Sequence, residues 1–229
     1  MIRVRSLLVL AMVLLMGAAF VSVVQAAEGT RGGAGRGGSR GSLLGLLRVE
    51  QVQKELKLTE GEIAKVKALG EKLSAEMRAQ YTAIREIEDR EKQRAKFTEL
   101  RDQSEKKARE ALREIVPREK MMRLYQIRMQ VRAVGDSLAS TYIAGRLKLT
   151  DEQKAKLAQI GKDSQAKRSE LYGSLRDASE EKRREAYTKV RKMRSDADEK
   201  ALGLLTAEQK EAFEKMKGEK FEMPSRGGR

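Results

Sequence analysis

The stretch LKLTDEQKAKLAQIGK, residues 147–162, has a near copy in LKLTEGEIAKVKALGE, residues 56–71. In Leu149-Thr150-Asp151-Glu152-Gln153 the threonine hydroxyl is spaced to accept from the backbone N–H of Gln153. The Gln153 side chain is spaced to reach back to the N–H of Thr150. Together these make a capping box. Asp151 and Glu152 then fall in the first helical turn, where the helix dipole favours negative charge. Leu58-Thr59-Glu60-Gly61-Glu62 makes the same box with Glu62 in the glutamine position, and Leu205-Thr206-Ala207-Glu208-Gln209 makes it again. Leu58 and Ile63 also fit a hydrophobic staple across the first cap. Each cap is worth about 1 kcal/mol. The repeated segment is therefore read as a helix start signal rather than a catalytic site.

The two halves keep matching downstream. Phe97-Thr98 corresponds to Tyr187-Thr188, and IVPREKMMRL from Ile115 aligns with LLTAEQKEAF from Leu204. The pattern reads as one helical unit used twice. The fourth cap breaks the rule, because Pro117 stands where Thr206 would be and Lys120 replaces Gln209. Proline allows a helix to begin at its first position, so the chain either turns differently there or kinks one long helix. Gly135-Asp136-Ser137 is read as the break between the units, with Gly as C-cap and Asp or Ser as N-cap.

Composition sets the class. Of 229 residues, 36% are charged and 4% aromatic, which suits long helices with narrow apolar stripes. The chain contains only two prolines, Pro117 and Pro224, so long helices run uninterrupted. The stripe in the second half is Leu157, Ile160, Leu171, Leu175, Ala186, Val190, Met193 and Ala197. A stripe this thin needs a hairpin, a second unit or a second copy to pack against. The expected fold is all-α, built as elongated helical hairpins in two tandem units.

There is no His, Cys or Trp. The usual transition-metal ligands and nucleophile–base pairs are thus missing, and no phosphate loop or nucleophile elbow occurs. No catalytic residue, cofactor or metal site is expected, and the chain reads as a non-enzyme. MMRLYQIRMQV from Met121 to Val131 covers more than one helix face. Met121, Met122, Tyr125 and Met129 are the candidate client-binding residues, with core packing between the units as the plainer account.

The ends read differently. Arg3 and Arg5, an apolar run from Leu7 to about Val24, and Val24-Gln25-Ala26 form a secretory signal peptide with cleavage after Ala26. An uncleaved membrane anchor is the rival. Residues 27–46 read as a Gly/Arg-rich flexible linker. Helical unit 1 then spans 47–135, helical unit 2 spans 136–222, and 223–229 form a disordered tail. The formal net charge is +15; losing Arg3 and Arg5 with the signal leaves +13. This charge points to acidic partners or anionic surfaces. RGG triplets at Arg31, Arg36 and Arg226 are too few, and too poor in aromatics, to favour nucleic acid.

The signal peptide, LTDEQ at 149–153, the charged middle and LLTAEQKEAFEKM from Leu204 resemble the LTXXQ-motif family of periplasmic proteins, the Spy/CpxP-like chaperones. The resemblance is best over residues 138–222 and weaker over 47–134, where Glu62 and Pro117-Lys120 depart from the motif. It implies an all-α, ATP-independent, extracytoplasmic protein that holds unfolded or acidic clients on a basic, partly apolar face. A membrane sensor kinase is a further partner it implies, and the net charge adds an anionic envelope surface. The family's dimeric cradle implies either a homodimer or a monomer whose two units form a pseudo-dimeric cradle. A polyanion-binding protein using its basic RGG tails, or a structural helical spacer, are the alternatives.

Overall fold

The computed structural model describes residues 41–175 and 178–223. The expected signal peptide, linker residues 27–40 and tail residues 224–229 lie outside them. Among the described residues the protein is all-α, with ten helices and no strand.

The helices run in one order twice. The first five are α1 (Leu43–Leu47), α2 (Glu50–Glu55), α3 (Glu60–Arg85), α4 (Arg90–Ile115) and α5 (Arg118–Val131). The next five are α6 (Val134–Leu138), α7 (Thr141–Arg146), α8 (Asp151–Gly173), α9 (Glu180–Gly203) and α10 (Ala207–Lys217). In each series two short helices lead into a long hairpin, α3–α4 or α8–α9, and a medium helix closes it. At the first hairpin's turn, Asp89 caps α4 through the N–H groups of Glu91 and Lys92. The Gln93 side chain donates to the carbonyls of Ile84, Arg85 and Ile87, answering the open end of α3.

Apolar burial concentrates at the base of each hairpin, in two clusters. One holds Leu43, Leu46, Leu47, Val52, Leu56, Val66, Leu112, Val116, Met121, Leu124 and Ile127. The other holds Leu138, Ile143, Ala144, Leu147, Leu149, Leu157, Ala201, Leu205 and Phe213. In the second series the anticipated stripe is seen as such: Leu157 and Ala186 are buried and its other six members are half-buried.

Three boundaries differ from the sequence reading. The expected linker ends earlier, because Ser42 caps α1 through the Gly45 N–H and Leu43, Leu46 and Leu47 are fully buried. Four apolar leucines so close to a Gly-rich stretch are a helix with a core to enter. Gly135, Asp136 and Ser137 lie inside α6, so the break falls instead at Arg132-Ala133. The cap there comes from a distant helix: Asp198 on α9 accepts from the Val134 N–H at 2.6 Å, and Arg194 donates to the Val131 carbonyl at 2.9 Å. Finally, Met223, assigned to the tail, packs with Phe221 against the first cluster.

The last of these contacts follows a sharp reversal. Gly218 caps α10 at φ +64°, and a Cβ there would lie 2.4 Å from the Gln126 side chain. Glycine meets both demands, conformational and steric. Arg128 ties a further junction, donating to the Gly41 carbonyl at 2.9 Å and pairing with Glu105 at 2.6 Å.

Candidate functional site

All three anticipated capping boxes are formed. Thr59 and Glu62, Thr150 and Gln153, and Thr206 and Gln209 each exchange two hydrogen bonds between side chain and backbone. Leu149 and Leu205 are buried, and Leu58 packs half-buried on the first cluster.

Each LKLT segment also carries a stop signal. Among the described residues, Lys57 (φ 48°) and Lys148 (φ 50°) are the two non-glycine residues with positive φ. Leu58 N–H reaches Gln53 O while Lys57 N–H reaches Lys54 O, and Leu149 and Lys148 repeat this with Ala144 and Gly145. These are Schellman closures of α2 and α7, with lysine where glycine is usual. The segment therefore ends one helix and starts the next within four residues.

The motif glutamines then meet across the fold. Gln153 Nε2 donates to the Leu204 carbonyl at 2.8 Å and to Gln209 Oε1 at 2.7 Å. Gln209 Nε2 donates to the Leu147 carbonyl at 3.2 Å and to Gln153 Oε1 at 3.3 Å. Each glutamine thus caps its own helix with its oxygen and binds the other motif with its nitrogen. The pair locks the start of α8 to the start of α10.

The first series does the same job with charge. Lys120 Nζ contacts Glu62 at 2.8 and 3.1 Å and donates to the Lys57 carbonyl at 2.8 Å. The Lys120 hydrogen bond, opposed by burial, holds the Glu62 carboxyl below its ordinary 4.5. Pro117 is the N-cap of α5 rather than its first helical residue, and it offers no side-chain cap. Neither a kink nor a capping box is needed there, since Lys120 supplies the tie across the fold.

The four candidate client-binding residues do not form one surface. Met121 is buried, Tyr125 packs on the first cluster and Met129 packs on the second. Only Met122 is open, at 57% exposed. Core packing accounts for the other three, and it makes α5 the helix shared by both clusters.

The open site is in the second hairpin instead. Lys167, Glu170, Leu171 and Ser174 at the end of α8 face Lys189, Lys192, Met193 and Asp196 on α9 around a solvent-open groove of about 440 Å³. Between the helices of the first hairpin, the space among Leu73, Glu76, Leu100 and Lys107 is only about 10 Å³. Leu73 and Leu100 are buried there, and Lys107 bridges to Glu76 at 2.9 Å. At the 91-residue offset of the two LKLT segments, Lys167 stands where Glu76 does, so no acid is there to make that ion pair. The second hairpin has no equal means of closing. Leu171 and Met193 are half-buried, and three lysines and two acids surround them. Tyr172 and Tyr187 stand exposed on the same two helices, at 48% and 59%. The sequence reading had Leu171 and Met193 in its stripe but missed the groove.

Among the described residues no group of three or more His, Cys, Asp or Glu is placed to hold a metal ion. No described helix is long and apolar enough to cross a membrane.

Residues 137–217 match the model of a known family, described as LTXXQ motif family protein. The matched segment runs from the end of α6 to the last residue of α10, and so contains both glutamine-bearing motifs and the open groove. This part of the chain is similar to that family. No curated protein and no solved structure matches the chain.

Proposed function

We propose that the protein is an extracytoplasmic, ATP-independent chaperone or envelope-stress accessory protein, not an enzyme, that holds unfolded or acidic clients loosely. The observation that carries this reading is the lysine-rimmed groove between α8 and α9, with Leu171 and Met193 at its floor. A shallow apolar floor gives weak, sequence-tolerant contact, and the strongly positive net charge steers acidic chains toward it. Location outside the cytoplasm rests on the signal peptide read in residues 1–26, and the match to the LTXXQ motif family agrees with it.

The test is aggregation of an unrelated unfolded client followed by light scattering, without ATP, with the chain lacking residues 1–26 at a one-to-one ratio. Slower aggregation at low salt, weakening as salt rises, is expected. No effect at low salt rules the reading out. The positive charge also favours a polyanion-binding role for the RGG-bearing ends. That reading predicts binding to an anionic polymer that collapses with rising salt and is lost on deleting residues 28–41. In the chaperone reading one chain supplies both helical series, so a monomer is expected by light scattering; an obligate dimer would contradict that part.

A further inference from the structure

Residues 219–223 are held on α5 in the manner of a bound peptide. After the reversal at Gly218, Gln130 Nε2 donates to the carbonyls of Lys217 and Glu219, both at 2.8 Å, and Gln130 Oε1 accepts from the Phe221 N–H at 2.8 Å. Arg123 Nη1 adds a bond to the Glu219 carbonyl at 2.9 Å. Phe221 and Met223 pack half-buried on the first cluster beside Tyr125 and Val131, while Lys220 and Glu222 are exposed. Alternation of this kind is the pattern of an extended chain. Side chains read its backbone, and two apolar residues set two apart supply the grip. Among the described bonds, no backbone–backbone bond ties 219–223 to a helix. A segment held so lightly opens at low cost compared with the helices beneath it.

We propose that this face of α5 is a docking surface for an extended polypeptide segment with large apolar residues at alternate positions, and that the chain's own Phe221 and Met223 occupy it in cis. An incoming segment must displace them. This surface is separate from the groove of the second hairpin, and its occupant is defined by the pattern Phe-x-Met rather than by net charge. The hydrogen bonds that hold the strap are ones any extended chain can offer, since Gln130 and Arg123 reach only main-chain atoms of the strap. Tethering gives the internal segment an effective concentration in the millimolar range, so an external one competes poorly until the strap is released.

The probe is a fluorescent peptide of residues 217–223, KGEKFEM, followed by anisotropy. It is titrated into the unaltered chain, into the Phe221→Ser/Met223→Ser chain and into a chain ending at Gly218. Both altered chains should bind it at least about tenfold more tightly than the unaltered one, and a peptide with serine at both apolar positions should bind none of them. Equal binding by all three chains, or no binding by either altered chain, overturns the proposal. Helix content by circular dichroism should be unchanged in both. A loss of helix that the added peptide does not restore also overturns it, because the segment would then be a fixed part of the core.

Discussion

Gln153 and Gln209, 56 residues apart, hold each other side chain to side chain while each also caps the threonine three residues before it. One amide therefore does two things: its oxygen starts a helix and its nitrogen fixes where that helix sits. The LTxxQ spacing is explained by this arrangement, because no shorter or acidic side chain offers both an acceptor and a donor there.

Replacing either glutamine by alanine should destabilise the chain by about 1–3 kcal/mol, since a part-buried carbonyl and a helix-capping backbone N–H lose partners together. A double-mutant cycle in urea should show coupling of about 0.5 kcal/mol or more. Additive losses would mean that the Gln–Gln contact carries no energy.

Acid should distinguish the two halves. Glu62 has its carboxyl lowered from 4.5, chiefly by the hydrogen bond from Lys120. A depressed folded-state pKa contributes stability that is complete above the unfolded value and is lost as pH falls through the folded value. The Lys120 tie in the first half should therefore weaken below about pH 4.5, and the Gln153–Gln209 tie should not. The Glu62→Gln chain, followed by urea midpoint from pH 7 down to pH 3, should lose part of the acid sensitivity of the unaltered chain. An identical pH profile would refute the assignment.

Lys148→Gly should raise stability by up to about 1 kcal/mol, because the lysine is held in the left-handed region where a side chain costs energy. Thermal unfolding checks this. A fall would show that the exposed Lys148 side chain makes a contact worth more than the backbone strain.

What could be read from the sequence followed how local the physics is. Thr59, Thr150 and Thr206 were legible because a cap involves residues three apart. The Schellman turns were not, because Lys57 and Lys148 occupy positions where glycine is the usual signal. The break at Arg132-Ala133 was misplaced onto Gly135 because its cap, Asp198, arrives from 64 residues away. Met121, Tyr125 and Met129 were left between a binding patch and the plainer reading of core packing because periodicity cannot tell an outward face from a helix shared by two cores. The groove was hidden for a related reason: it lies between Leu171 on one helix and Met193 on the next, and pairing across a hairpin is not visible along the sequence.

The groove in the second hairpin is the centre of the functional account, and substituting its floor tests it most directly. Leu171→Ser/Met193→Ser removes half-buried side chains away from both clusters, so helix content should change little. Aggregation of an unfolded acidic client, followed by light scattering at low salt, should then be slowed much less by this chain than by the unaltered one. Equal protection by the two chains, with both still folded, would contradict the account.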